Sequence, residues 1–258
     1  MKKVFAAMSL ALLAVSVGVS AKDVQEVRFG VSPDSPPFEL KMADGTLGGF
    51  DIDLGNAICA KLKAECVWVE NDFDGMIPAL RAKKFDGVLS SMSVTEKRQK
   101  QIAFSDKLFN APVRMVAKKG STLLPTVESL KGKRIGVQQG TTQETYAKTY
   151  WEPQGVTVVS YQNLDLSLAD LLAGRVDATL QDAVQAEIGF LKTPRGRDFA
   201  FAGPTLNDQK TLGSGTAIGL RKEDVELRQL INQALAEMHQ DGTYQRLEQK
   251  YFSFSLYE

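Results

Sequence analysis

The part of this sequence best suited to bind a small anion is a serine-rich segment that ends in arginine, Ser90-Ser91-Met92-Ser93-Val94-Thr95-Glu96-Lys97-Arg98. The three serines would place hydroxyls and backbone amides at the end of a predicted strand, and Thr95 suits the N-cap of a short helix. Arg98 in that helix offers a planar, bidentate fork for a carboxylate, to which hydroxyls add donors without a second charge. The segment predicts a carboxylate-binding site, although a serine-rich turn with a solvated arginine would have the same sequence.

Asp182 offers the opposite chemistry in the second half of the chain. It ends a predicted strand, where a carboxylate that faces a cleft is poorly solvated and favours a cationic partner such as an ammonium. Nearby, Gly140-Thr141-Thr142 places hydroxyls between a strand and a helix, a pattern that simple helix capping also explains. Carboxylate-binding donors and an ammonium-binding carboxylate together predict a site for an α-amino acid. Phe73, after another strand, would either stack on the ligand or pack in the core.

Two segments of the chain resemble one structural unit written twice. They are Ile77 to Ser91 and Leu168 to Asp182. The segments agree at Leu80/Leu171, Ala82/Ala173, Asp86/Asp177 and Leu89/Leu180. Each predicts a helix, a short turn and a buried strand, so that Ser91 and Asp182 fall at equivalent strand ends. Ligands bind outside the carboxyl ends of strands in open parallel α/β sheets, and two such halves therefore predict a binding cleft between two lobes. Helix-turn-strand units recur in any α/β protein, however, so the repeat alone is weak support.

Strand patterns alternate with helical ones along most of the chain. We predict strands over 27–31, 66–69, 85–89, 113–117, 134–138, 156–160, 176–180 and 216–220, and helices over 52–62 and 227–238. A second similarity, between Arg28-Phe29-Gly30-Val31 and Arg134-Ile135-Gly136-Val137, begins the two halves. The alternation predicts an α/β fold of two lobes, each a mainly parallel sheet flanked by helices.

The predicted lobes are joined by a two-strand hinge. One lobe would contain residues 22–110 and 213–258, and the other residues 111–212. The chain would cross between them near 110–113 and near 205–215, where the second crossing is rich in glycine and proline. Hinge closure around a ligand is a known consequence of such a connection.

The first 21 residues are typical of a signal peptide. Lys2 and Lys3 precede an uncharged apolar run over 4–19, and Val19-Ser20-Ala21 suits a small-residue cleavage site. Export to the periplasm is therefore expected. The whole chain has 31 basic and 31 acidic residues; loss of the two lysines leaves a formal net charge of −2. This balance argues against nucleic-acid binding, which needs a basic excess.

Only two cysteines, Cys59 and Cys66, occur in the chain. In an oxidising compartment a disulfide is their natural pairing. A metal site is disfavoured because two thiols without nearby histidines leave the coordination shell unfilled. The single histidine, His239, lies in a charged helical stretch. We therefore expect neither a metal nor a cofactor.

Several longer motifs resemble a known family. They are GFDIDLGNAIC (49–59), DFDGMIPAL (72–80), SSMSVTEKRQ (90–99), IAFSDKL (102–108), ESLKGKRIGVQQGTTQE (128–144), LQD (180–182) and DGTYQRL (241–247). On these motifs the chain resembles the family 3 periplasmic solute-binding proteins of polar amino-acid ABC importers, in the lysine/arginine/ornithine- and histidine-binding branch. The resemblance implies a type II binding fold that closes on one amino acid and hands it to an inner-membrane permease and ATPase.

The resemblance also implies roles for individual residues. The ligand carboxylate would be bound by Arg98, Ser91, Ser93 and Thr142, the α-ammonium by Asp182 and Ser90, and the ligand side chain by Phe73. Gln138 and Thr141 complete the expected set at the ligand, together with Ser32 and Ser35.

Ser32 and Ser35 stand where that branch usually has an acidic residue and a tyrosine that contact the distal end of the ligand. Their replacement makes a preference for lysine or ornithine doubtful. Asp34, between them, is a candidate substitute. Histidine, arginine and uncharged polar amino acids remain open.

Two other functions are compatible with the sequence. One is a ligand-loaded activator of a membrane receptor. The other, an enzyme similar to a periplasmic dehydratase of the same fold, is disfavoured because the serines lack a histidine partner. We expect a monomer, because each predicted helix face is used within its own lobe.

Overall fold

The computed structural model describes residues 24–257, so the predicted signal peptide lies outside the described residues. The strands are β1 (Glu26–Val31), β2 (Asp34–Ser35), β3 (Glu39–Lys41), β4 (Leu47–Gly48), β5 (Glu65–Glu70), β6 (Gly87–Val88), β7 (Ala103–Phe109), β8 (Val113–Lys118), β9 (Arg134–Gln138), β10 (Thr157–Tyr161), β11 (Ala178–Asp182), β12 (Phe199–Leu206) and β13 (Thr216–Leu220).

The α-helices are α1 (Phe50–Leu62), α2 (Met76–Arg81), α3 (Glu96–Gln99), α4 (Val127–Leu130), α5 (Thr142–Tyr146), α6 (Leu164–Leu172), α7 (Ala183–Gln185), α8 (Gln209–Leu212), α9 (Val225–Gln240) and α10 (Thr243–Tyr251). Short 3₁₀ turns lie at Phe73–Gly75, Glu152–Gln154 and Pro194–Gly196. Two π-helical segments, Ala147–Trp151 and Ala186–Leu191, continue α5 and α7.

Two five-stranded sheets with matching topology form the two lobes. Their strand orders are β5-β1-β6-β13-β7 and β10-β9-β11-β8-β12. In each sheet four strands run in one direction, and the fourth strand in the order, β13 or β8, is antiparallel to both neighbours. That strand is the one that follows a connection from the other sheet. The predicted α/β fold with mainly parallel sheets is confirmed.

The internal repeat is visible in the hydrogen bonds as well as in the strand order. β6 and β11, the strands of the two repeated segments, both occupy the central position of their sheets. The amide of Arg28 donates to the carboxylate of Asp86, and the amide of Arg134 donates to that of Asp177, at 3.1 and 2.8 Å. The matched aspartates therefore fix equivalent turns against equivalent strands.

Helices pack against these sheets to form four hydrophobic clusters. In the first lobe, Phe50 and Ile58 of α1 meet Ile231 of α9 in one cluster, and Met76 and Leu80 of α2 lie in another. In the second lobe, α4 and the segment 147–151 share one cluster, while α6 and the segment 186–191 share another. Each sheet is thus held between helices and keeps the ends of its central strands in place.

The disulfide between Cys59 and Cys66 joins the end of α1 to β5, with the two Cα atoms 5.7 Å apart. It closes a tight connection, because the chain leaves α1 at Lys63 with a left-handed φ of +55°. The predicted pairing is confirmed.

Five strands are absent from the predicted set: the short strands β2, β3 and β4, which form a separate three-stranded sheet, and the strands β7 and β12. β7 alternates irregularly and contains Ser105, Asp106 and Lys107, and β12 contains Gly203 and Pro204, which are typical of turns. Both are edge strands, which tolerate such residues. The chain passes between the sheets over 110–112 and 207–215; the lobe boundaries given above remain a prediction. No helix among residues 24–257 is long and apolar enough to cross a membrane.

Candidate functional site

A cavity lies between the two lobes, at the carboxyl ends of their central strands. Its wall contains every predicted ligand-binding residue except Ser32, namely Ser35, Phe73, Ser90, Ser91, Ser93, Arg98, Gln138, Thr141, Thr142 and Asp182. Residues that the sequence did not indicate are Phe38, Phe109, Ala111, Gln143, Leu164, Leu180, Gln181 and Gln185. The site is therefore one continuous surface to which both lobes contribute.

Arg98 is the cation of this cavity. Thr95 accepts a hydrogen bond from the amide of Arg98 and so caps α3, which turns the arginine back over the end of β6. Its guanidinium donates to the carbonyl of Ser93 at 2.6 Å, donates across the cleft to Gly140 at 3.0 Å, and lies 5.5 Å from the centre of the Phe73 ring. Burial lowers the pKa of Arg98 to about 10, so the guanidinium remains charged at neutral pH. A buried cation held this way suits an anionic ligand group.

Asp182 is the anion of the cavity. One carboxylate oxygen accepts a hydrogen bond from the amide of Gln185 at 2.9 Å, because Asp182 both ends β11 and caps α7. The other oxygen, Oδ2, is shielded from solvent and has no hydrogen-bond partner among the described residues. Burial raises the pKa of Asp182 to about 7. An ammonium group placed here would satisfy the free oxygen and favour the ionised carboxylate.

Behind Ser90 and Ser91 lies a pair of buried acids, Glu39 and Asp51, with side chains 1% and 0% exposed. The hydroxyl of Ser90 donates to Glu39 at 3.0 Å, and the amide of Ser91 donates to Asp51 at 2.7 Å. The hydroxyl of Ser91 lies 3.2 Å from Asp51 and 3.3 Å from Glu39. Burial raises the pKa of both carboxyls, and that of Glu39 is raised further by the charge of Asp51.

These acids decide what the serines offer a ligand. Each hydroxyl donates a hydrogen bond to the acid pair. The hydroxyl oxygens of Ser90 and Ser91 can therefore only accept a hydrogen bond from a ligand. Ser91 also adopts a left-handed φ of +49°, a strained conformation for serine that the bond to Asp51 holds. Acceptors in the same cavity wall as Asp182 suit an ammonium. The carboxylate-binding role that the family resemblance gave Ser91 remains a prediction.

The second lobe contributes a helix start. Thr141 caps α5 by accepting from the amide of Glu144 and donates its hydroxyl to the carbonyl of Gln138. The hydroxyl of Thr141 thus has its proton and one of its two lone pairs engaged, whereas the hydroxyl of Thr142 contacts only the side chain of Gln143, at 3.2 Å. Of the two threonines, Thr142 has more hydrogen-bonding capacity left for a ligand.

Ser32 is buried behind the cavity wall, where its hydroxyl donates to Asp34 at 3.1 Å. Ser35 lies in the wall and its hydroxyl also points to Asp34, at 3.4 Å. The other oxygen of Asp34 accepts bonds from Gln138 and from the amide of Leu164, both in the second lobe, at 2.9 and 3.1 Å. The serines therefore position an aspartate that joins the lobes.

The lobes also meet at two glycines. A Cβ atom on Gly140 would lie 2.5 Å from the backbone of Asp74, and one on Gly189 would lie 2.5 Å from the carbonyl oxygen of Pro36. Backbones approach this closely only when no side chain intervenes. The structure therefore shows the lobes closed on each other.

Other chemistries find no support in the described part of the chain. Residues 24–257 contain no group of three or more histidine, cysteine, aspartate or glutamate side chains that would hold a metal ion. His239 stacks on Tyr244 with ring centres 4.3 Å apart, in α9 and away from the cavity wall. Neither observation adds a catalytic group to the cleft.

Two α/β lobes closed on a polar cavity define a protein that binds a small solute between its lobes. The chain belongs to the bacterial extracellular solute-binding proteins, family 3, whose model matches residues 27–254. This family binds solutes and is not a family of enzymes. The resemblance inferred from the motifs is thereby confirmed.

Similar proteins cover the whole chain. The histidine-binding periplasmic protein of Escherichia coli K12 is 51% identical over 258 residues, which is 100% of this chain and 99% of that protein. The lysine/arginine/ornithine-binding periplasmic protein of the same strain is 52% identical over 259 residues, again 100% and 99%. An ancestral arginine-binding protein solved with arginine has a TM-score of 0.83 at 38% identity, covering 90% of this chain and 100% of that one.

Proposed function

We propose that this chain is the periplasmic substrate-binding component of an ABC importer for a polar or basic L-amino acid. The observation that carries the proposal is the pairing of Arg98 from one lobe with Asp182 from the other in the same cavity wall. These two charges complement the carboxylate and the ammonium of an amino acid. One ligand can contact both only when the lobes are closed, because Arg98 and Asp182 lie in different lobes. The acceptor hydroxyls of Ser90 and Ser91 support the ammonium assignment.

The names of the relatives supply the candidates histidine, arginine, ornithine and lysine. The closed lobes would present the ligand to an inner-membrane permease and its ATPase, in the manner of the family. The predicted signal peptide places this encounter in the periplasm, and we propose that the protein acts there as a monomer.

The proposal is tested by calorimetry on protein that has been unfolded, washed and refolded to remove any ligand carried through purification. We expect one or more L-amino acids to bind. Histamine and agmatine are matched controls, because they keep the side chain and amine of histidine and arginine but lack the carboxylate. Losing the partner of buried Arg98 should weaken binding by about 100-fold or more.

Three results would contradict the proposal. Equal binding of histamine and histidine, with the same result for agmatine and arginine, would show that the carboxylate is not recognised. Failure of every L-amino acid to bind would show that the ligand is not an amino acid. Retention of amino-acid uptake by a strain that lacks the gene, on the bound amino acid as sole nitrogen source, would argue for a sensing role.

A further inference from the structure

We propose that the cleft selects an L-amino acid with an uncharged side chain, because Asp34 is committed to holding the two lobes together. The inference rests on the proposed function and narrows it. Among the candidates above it favours neutral histidine over arginine, lysine and ornithine. It also adds amino acids with carboxamide or ureido side chains to the candidate ligands.

The first observation concerns the charges that face the ligand. Among the residues that line the cavity, only Arg98 and Asp182 are charged. An amino acid uses both through its carboxylate and ammonium. A cationic side chain would then be a third buried charge with no counter-ion in the wall, which is unfavourable. The buried acids Glu39 and Asp51 do not line the cavity and are already bonded to Ser90 and Ser91.

The second observation is that Asp34 has no remaining hydrogen-bonding capacity. Its Oδ1 accepts from the hydroxyls of Ser32 and Ser35, and its Oδ2 accepts from the side chain of Gln138 and the amide of Leu164. A carboxylate has about four acceptor positions, and here each has a donor from this chain. A ligand cation would have to displace one of these donors, and two of them are what joins the lobes.

Burial raises the pKa of Asp34, and hydrogen bonds within the chain offset part of that cost without a ligand. Leu164 is the first residue of α6, a helix of nine residues, so the carboxylate lies at the positive end of its dipole. Three of its four donors, Ser35, Gln138 and Leu164, line the cavity, whereas Asp34 itself does not.

The third observation is that the wall offers neutral polar groups instead. Gln181 has a buried side-chain oxygen, and Gln185 a buried side-chain nitrogen, without a hydrogen-bond partner among the described residues. Both line the cavity. Glutamine residues in the wall suit a carboxamide, a ureido group or a neutral imidazole, since each of these groups both donates and accepts hydrogen bonds, as a glutamine amide does.

Citrulline and arginine provide the decisive comparison, because the two side chains have nearly the same shape and only arginine is charged. With refolded protein at pH 7.5, we expect calorimetry to show citrulline bound at least about tenfold more tightly than arginine. Glutamine and histidine should likewise bind more tightly than lysine and ornithine. Tighter binding of arginine, lysine or ornithine would overturn this inference and leave the proposed function intact. No binding by any amino acid would overturn both.

A variant tests the role given to Asp34. Asp34→Asn loses acceptor capacity at the contact between the lobes. We expect it to lower the affinities for citrulline and for arginine by the same factor. A loss of affinity for arginine but not for citrulline would show instead that Asp34 binds a ligand cation. Asp72→Asn is the matched control, since Asp72 also accepts a bond across the cleft, from Gln162 at 2.8 Å, but Gln162 does not line the cavity as the donors Ser35, Gln138 and Leu164 of Asp34 do. Thermal unfolding of the ligand-free variants verifies that both fold.

Discussion

Asp182 shows at the scale of one residue how burial and ligand chemistry are linked. Its free oxygen is shielded from water, which raises the pKa of the carboxyl to about 7 in the structure. A bound ammonium would favour the ionised form and lower that pKa again. Ligand binding should therefore release a proton near neutral pH.

The resulting prediction is a pH-dependent affinity. Where the ligand-free protein keeps Asp182 as buried as it is in the closed structure, its carboxyl must lose a proton before binding below pH 7, and affinity should then fall by up to about tenfold for each pH unit of acidification. Above pH 7.5 affinity should be flat until the ligand ammonium itself titrates. Calorimetry between pH 5 and 8 measures this, with proton release read from buffers of different ionisation enthalpy. Glutamine suits the experiment because its side chain does not titrate in this range.

The matched variant is Asp182→Asn, which keeps the size of the side chain and its acceptor for the amide of Gln185. It should bind more weakly at pH 8 and lose the pH dependence. An unchanged pH profile in this variant would assign the titration to another group.

The acid pair Glu39 and Asp51 supports a second prediction at this scale. The pKa of each carboxyl is higher in the fold than in the unfolded chain, so the folded protein holds more protons. Stability from this source is complete in acid, below the pKa values of the unfolded chain, and is lost as the pH rises through those of the folded state. In Glu39→Gln the amide still accepts from Ser90 and can donate to Asp51 without a titrating proton.

We therefore expect the unfolding free energy of Glu39→Gln to depend less on pH than that of the parent protein. The difference approaches about 1.4 kcal/mol per pH unit in the range where the pair loses its proton. Denaturant unfolding between pH 5 and 9 measures it. Equal slopes for the two proteins would show that Glu39 is already ionised in the fold.

At the scale of elements, the helical segment Ala186–Leu191 brings the second lobe against the loop that carries Pro36. Gly189 lies at this contact, and a methyl group there would meet the carbonyl of Pro36 at 2.5 Å. The backbone of Gly189 does not have a positive φ, so alanine causes no backbone strain within the second lobe itself. In a helix alanine is better than glycine by up to about 1 kcal/mol.

Gly189→Ala should therefore hinder closure of the lobes without lowering the stability of the fold. We predict that the ligand-free variant unfolds at the same temperature or slightly higher, whereas its affinity falls by about tenfold or more because the lobes cannot close fully. Differential scanning calorimetry and ligand titration measure the two effects. Unchanged affinity would mean that the loop at Pro36 moves aside at little cost.

The disulfide is the second element-scale feature, since it fixes the end of α1 to β5 across a sequence separation of 7. The chain-entropy model assigns about 2.5 kcal/mol to a loop of this size. We predict that Cys59→Ser/Cys66→Ser lowers the unfolding free energy by about that amount without changing ligand affinity, because neither residue lines the cavity. A loss of affinity as large as the loss of stability would show that α1 transmits strain to Ser91 through Asp51.

At the scale of the whole molecule, the closed lobes are joined by hydrogen bonds, by the close backbone contacts at Gly140 and Gly189, and by Val184 of the second lobe, which packs in the core cluster of the first. Arg98 meets Gly140, Asp34 meets Gln138 and Leu164, and Asp72 meets Gln162. Closure also buries the charges of Arg98 and Asp182, which costs free energy unless a ligand pairs with them. The ligand should therefore be required to hold the lobes together.

We predict that ligand decreases the radius of gyration, measured by small-angle scattering on refolded protein with and without saturating amino acid. Gly189→Ala should give a smaller decrease, since its lobes stop short of full contact. An identical radius in both states would show that the free protein is already closed.

The sequence by itself determined the features that depend on neighbouring residues. The alternation of apolar and polar stretches indicated the α/β class, and the matched segments with Asp86 and Asp177 indicated two equivalent units whose central strands end at Ser91 and Asp182. Local rules sufficed because strand periodicity, turn chemistry and the redox pairing of two cysteines act over short distances. The edge strands β7 and β12 were missed for the same reason: their local composition resembles a turn, and only pairing with β13 and β8 makes them strands.

The tertiary structure decided what each polar group is free to do. Residues distant in sequence meet there, so that Glu39 and Asp51 accept hydrogen bonds from the hydroxyls of Ser90 and Ser91. In the same way, Gln138 and Leu164 donate hydrogen bonds to Asp34. A sequence shows which donors and acceptors exist but not which are already paired. Because a hydrogen bond made within the fold removes that group from recognition, the chemistry of the cleft follows from the groups left unpaired.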